Sequence, residues 1–180
     1  MFNKSLLFAA LCALTSAVAA VPATTPDYPE LVPGPGMPTL ASLNLTSAGL
    51  YGMGPPPSLA KRTAGAELDA ELEKRYTSVC QTYSTAGVDN VIACFNYLTS
   101  IGGNACGVSG DWVIFCTAGD ADISGSNVSG GPSASSSCQD VATAVQWIFT
   151  YCNAGGEVGG SDAAYGNGYL IVSVDNVSWF

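Results

Sequence analysis

Apolar positions recur at helical spacing in two stretches of the C-terminal part of the chain and at strand spacing in several others. The first helical stripe is Val91, Cys94, Phe95, Leu98 and Ile101, with Ser84 or Thr85 as its cap, Asp89 near its positive end and Gly102-Gly103 as its stop. The second is Cys138, Val141, Val145, Ile148 and Cys152, and Ser136 with Gln139, or Ser137 with Asp140, supplies a capping-box start. Between them, 105–108, 112–116 and 121–124 read as short strands of an antiparallel meander, with Trp112 in the core. After the second helix, 156–160 reads as an edge strand, and 169–174 as a strand with Leu170, Val172 and Val174 on one face. The order predicts an α+β fold: a two-layer α/β sandwich, two helices on one face of an antiparallel sheet.

The N-terminal part is patterned differently. Lys4, an apolar run from Leu6 to Leu14 and the small residues 17–20 read as a secretory signal peptide over 1–20. That run, like every later one, falls short of the roughly 20 apolar residues of a membrane-spanning helix. Residues 21–60 hold nine prolines and no sustained apolar period, so they are predicted to be disordered. An acidic stretch with helical propensity (Glu67, Asp69, Glu71, Glu73) follows between two dibasic pairs, Lys61-Arg62 and Lys74-Arg75. These pairs predict cleavage after Arg62 and Arg75 by a kexin-like protease, making 21–75 a propeptide and 76–180 the mature, secreted domain.

Charge sharpens this division. Beyond Arg75 there is no Lys, Arg or His, against eight acids: Asp89, Asp111, Asp120, Asp122, Asp140, Glu157, Asp162 and Asp175. Such a domain repels polyanions, which excludes nucleic acid as a partner. It also has no residues for a Ser-His-Asp triad, a Cys-His pair or an arginine phosphate clamp, so a non-enzymatic protein without cofactors is expected. Carboxylate-pair hydrolysis is the one common design left, and no motif marks it.

Cysteines support export. Cys12 leaves with the signal peptide, and Cys80, Cys94, Cys106, Cys116, Cys138 and Cys152 imply three disulfides whose pairing stays open. There is no C-x-x-C pair or His for zinc. Asp120-Ala121-Asp122-Ile123-Ser124-Gly125 begins like a calcium loop, but Gly131 stands where the closing Glu is needed, so a turn is expected. Asn127 and Asn176 head glycosylation sequons, as does Asn44 in the leader. Trp147 lies off the second helix's apolar stripe and is the candidate surface-binding aromatic.

From Cys138 onward the chain resembles a known family. Cys138, an amphipathic helix, Cys152, Gly160-Ser161-Asp162, Tyr165-Gly166-Asn167 and Gly168 leading to Leu170 and Val172 occur in that order. This is similar to the C-terminal half of the α/β-sandwich killer toxins of smut fungi and related fungal secreted effectors. The resemblance implies the same fold and a dibasically processed precursor. The toxic relatives carry more cysteines and basic surface residues, so no functional residue transfers from them. The expected function is a secreted fungal effector or killer-toxin-like protein acting on a competitor's or host's protein or glycan. The alternative is a cell-wall or matrix glycan-binding protein.

Overall fold

The computed structural model describes residues 27–56 and 76–179. The stretch read as a signal peptide, both dibasic pairs with Arg62 and Arg75, and the acidic stretch between them lie outside the described residues. Three α-helices occur among the described residues: α1 (Ser47–Gly52), α2 (Val88–Ser100) and α3 (Cys138–Tyr151). The strands are β1 (Leu31–Pro33), β2 (Val79–Cys80), β3 (Ala86–Gly87), β4 (Ala105–Ser109), β5 (Trp112–Ala118), β6 (Ala121–Asn127), β7 (Ser133–Ser137), β8 (Asn153–Ala154), β9 (Glu157–Val158), β10 (Gly160–Ala164) and β11 (Asn167–Asn176). The fold is mixed α/β, and the main sheet runs β1-β5-β6-β11-β10-β2 with every neighbouring pair antiparallel.

Helix α3 starts where the sequence places it. Ser137 Oγ accepts from Asp140 N at 3.1 Å, and Asp140 Oδ2 accepts from Ser137 N at 3.2 Å, which closes the capping box. Helix α2 starts differently from expectation: neither Ser84 nor Thr85 caps it. Pairing of β3 with β9 draws Ala86 and Gly87 into a strand, and Gly87 becomes the cap residue without a side chain to offer. Asp120 replaces it from the β5–β6 turn, accepting from Gly87 N at 3.0 Å and from Asn90 Nδ2 at 2.7 Å.

The expected three-strand meander is also only partly formed. β5 and β6 pair, but β4 turns away to pair with β7, a Ser-rich strand with no apolar alternation. Three disulfides join helices to strands: Cys94–Cys116 ties α2 to β5, Cys106–Cys138 ties β4 to the start of α3, and Cys80–Cys152 ties β2 to its end. The stripes of α2 and α3 share one apolar cluster with Phe115, Ile123, Leu170, Val172 and Val174 of the sheet.

The leader was expected to be disordered throughout, and residues 27–56 correct that expectation. β1 adds to the edge of β5, and α1, capped by Thr46 Oγ1 accepting from Gly49 N at 3.0 Å, packs on α2. Leu31 and Leu50 are fully within the domain's apolar cluster, and Met37, Leu40, Leu43, Leu45 and Tyr51 pack against it. The segment has no periodicity of its own because its apolar side chains are buried against the domain's apolar cluster and not along one face of a long helix or strand.

Candidate functional site

Leu170, Val172 and Val174 of β11 point into the apolar cluster, so Tyr169, Ile171, Ser173 and Asp175 take the opposite face of the sheet. The pairing register extends that face across four strands. One row is Trp112, Ser126, Ile171 and Ala163, the next is Ile114, Ser124, Ser173 and Ser161, and the last is Thr117, Asp122 and Asp175. The two central strands thus present mostly small polar side chains. From Tyr169 to Asp175 this floor is about 20 Å long at the usual rise of a strand.

Aromatic side chains stand at both ends of it. Trp112 is 51 % exposed and Tyr169 46 %, on the same face two strands apart. The expectation that Trp112 is core is therefore corrected: its partner Ser126 is on the outer face, and the inward position is taken by Val113 opposite Gly125. At the other end Tyr83 and Trp179 lie with ring centroids 5.1 Å apart. Trp147 of α3 is half-buried against the apolar cluster, its ring 5.0 Å from that of the exposed Tyr151, so the structure does not bring it to the sheet face.

Asp122 and Asp175 face each other across β6 and β11, only 4 % and 8 % exposed. Like charges in direct register are unfavourable. Hydrogen bonds offset this: Thr117 Oγ1 donates to Asp122, and Gln81 Nε2 donates to Asp175 Oδ1 at 2.5 Å. Burial raises the Asp175 pKa above the usual carboxylate value, Gln81 and Ser84 pull it back, and the Asp122 charge adds to the rise. Gln81 Nε2 also reaches the carbonyls of Ser84 and Val174, and Ser84 Oγ accepts from Asn176 N at 2.9 Å. Asp175 thus clasps the 81–84 loop to the sheet while Asp122 is held by Thr117 of β5, so both acids have protein partners.

The calcium-like stretch comes apart on the same grounds. Asp120 turns to α2 while Asp122 lies within β6, and no group of three or more potential ligands gathers among the described residues. The sequons at Asn127 and Asn176 share one geometry, each Asn ending a strand and accepting through Oδ1 from the Ser two residues on, at 2.7 Å from Oγ. Asn127 Nδ2 spends both protons, on the carbonyls of Gly110 and Gly131, whereas Asn176 Nδ2 donates to Thr85 O. Asn44 is exposed at the end of a 3₁₀ turn.

Compared with known proteins, residues 74–176 match the profile of a family described as a domain of unknown function, DUF8794. The chain belongs to that family. The matched stretch takes in all three disulfides and the whole outer sheet face. It begins at the second dibasic pair, so residues 27–56 lie outside it. No curated protein and no solved structure matches the chain.

Proposed function

We propose that the chain is a secreted, non-enzymatic effector or killer-toxin-like protein that acts on competitor or host cells by surface recognition. On this reading the signal peptide is removed on export, a kexin-like protease cuts at Arg62 and Arg75, and the fold is a two-layer α/β sandwich like that of the fungal killer toxins. The observation that carries it is the exposed pair Trp112 and Tyr169 on the outer sheet face, beside the half-buried Ser126 and Ser173. Exposed aromatics beside small polar groups are the usual anchors of recognition surfaces, since they bury area at little entropic cost. Three disulfides are consistent with work outside the cell.

The test is to apply purified secreted protein to fungal competitor cells and plant cells and to compare it with a Trp112→Ala, Tyr169→Ala double variant. Growth arrest or cell death that weakens by roughly tenfold or more in the variant supports the reading. A wild-type protein that harms neither cell type and captures nothing from their extracts sinks it.

A second reading, an extracellular glycan-binding protein, draws on the same face, because aromatic platforms beside Ser hydroxyls suit sugar rings. Retention on chitin or β-glucan, lost in the same double variant, would favour it over the effector.

A further inference from the structure

The groove between the β5 edge and α2 is already occupied, and its occupant is the segment that the dibasic pairs would separate from the domain. β1 pairs Leu31, Val32 and Pro33 with Ala118, Thr117 and Cys116, and Gly34 N continues the ladder to Phe115 O at 2.9 Å. Polar groups of α2 are satisfied from the same side. Asn96 is 4 % exposed, and its Nδ2 donates to Leu50 O at 2.9 Å and Gly54 O at 3.1 Å. Tyr97 donates its hydroxyl to Pro38 O at 2.7 Å, and Tyr51 reaches Asn90 Oδ1 at 2.7 Å. No buried side-chain polar atom among the described residues lacks a partner. Removing 27–56 would strip Asn96 and Tyr97 of these acceptors, uncover the places of Leu31 and Leu50, and leave β5 as an open edge.

Three features make this segment a separable subunit. It contains no cysteine, so nothing covalent would hold it once the connection is cut. Both dibasic pairs fall after Pro56 and before Tyr76, so cleavage there severs no described element. Residues 27–56 carry Asp27 and Glu30 and no base, like the domain they dock on, so the contact is made by apolar burial and hydrogen bonds against net charge repulsion.

We propose that residues 27–56 stay bound in this groove after the connection is cut, so that the working protein is a non-covalent complex of two chains, an N-terminal chain and the disulfide-stapled domain. The proposal rests on the maturation reading for the natural cut, but docking itself can be tested without it. Apart from Lys4, the only lysines and arginines are Lys61, Arg62, Lys74 and Arg75, so trypsin acting on the exported protein can cut nowhere else.

The experiment compares denaturing and native mass spectra of the protein secreted from the full chain. Two chains on denaturation, whose masses sum to one native species, is the expected result. Two chains with a native species of the domain alone overturns the proposal. A single uncut chain counts against the maturation reading, and trypsin followed by gel filtration then decides docking. Co-elution of both fragments supports the complex, and separation overturns it. A Cβ at Gly34 would sit 1.8 Å from Ile114 O, so Gly34→Val should abolish co-elution while the domain keeps its six cysteines oxidised. A milder variant, Tyr97→Phe, loses only the hydroxyl that meets Pro38 and should speed dissociation roughly fivefold. Wild-type retention in both variants would place the N-terminal chain somewhere other than this groove and overturn the assignment. Dissociation should slow as salt is raised, because screening weakens repulsion between two acidic chains.

Discussion

Residues 76–179 are closed by three disulfides and residues 27–56 by none, yet both supply fully buried leucines to one apolar cluster. In the domain each bridge ties a helix or its flank to a strand, so the sheet and helices stay together even when packing loosens. The segment is held to the domain only by packing and by hydrogen bonds such as those of β1 to β5 and of Asn96 and Tyr97 to its carbonyls. The same core thus has a part stapled by disulfides and a part held to it by packing and hydrogen bonds alone. The two should therefore fail under different treatments.

The largest separation should come from breaking the longest bridge. Cys80 and Cys152 are 72 residues apart, and the double change Cys80→Ala, Cys152→Ala should cost the domain about 4 kcal/mol, read as a lower midpoint in guanidinium. Docking should survive, because β2 is at one edge of the main sheet and β1 at the other. Simultaneous loss of the segment would mean that the two regions are one cooperative unit.

Leu50→Ala should do the reverse. Emptying a fully buried leucine site costs about 2 to 5 kcal/mol. After cleavage the loss should appear as weaker retention of the N-terminal chain in gel filtration, with the midpoint of the isolated domain unmoved.

Alkali should discriminate more gently. Burial raises Tyr51 to about 12, helped by the Asp120 and Asp89 charges, and burial alone raises Tyr97 to about 12. Both exceed the usual 10, so the docked state holds these protons more tightly than the separated chains do. Docking should be constant below pH 10 and weaken as pH rises towards 12. Native mass spectra of samples held briefly at mildly and strongly alkaline pH check this, and Tyr51→Phe should flatten the response.

The smallest effect concerns the domain alone. The raised Asp175 value means that the folded state prefers the protonated acid, so this contribution to stability is full in acid and is lost as pH rises through the shifted value. Asp175→Asn keeps the acceptor for Gln81 and removes the charge facing Asp122. It should make the domain slightly more stable near neutrality and less dependent on pH, with docking unchanged, in paired denaturation series.

The contrast also explains what the sequence disclosed. α2, α3, β6 and β11 announce themselves because each has enough apolar residues at one period to mark its own buried face, and β5 because it is a continuous apolar run. β7 is Ser133-Ala134-Ser135-Ser136-Ser137 and carries no such mark; its strand geometry comes from pairing with β4. β1 and α1 are too short, and too dependent on surfaces contributed by distant residues, to register as anything but a Pro-rich leader. In the candidate site, Ser173 and Asp175 alternate with Val172 and Val174, which is a legible clue to an outward polar row. Trp112 gave none, because the run Trp112 to Cys116 is apolar at every position and only the register with β6 chooses its face. The meeting of Asp122 with Asp175 likewise depends on pairing between strands distant in sequence.

Pairing of Leu31 with Ala118 also sets an order of events during synthesis. β1 leaves the ribosome first, but its partner follows roughly 90 residues later, which at about 5 to 20 residues per second is a wait of about 4 to 18 seconds. While the chain is intact, the tether keeps the segment near its groove at an effective concentration on the order of millimolar. A cut made before docking would exchange that for the dilute concentration of two independent molecules. Assembly of the complete core is therefore favoured when folding precedes proteolysis.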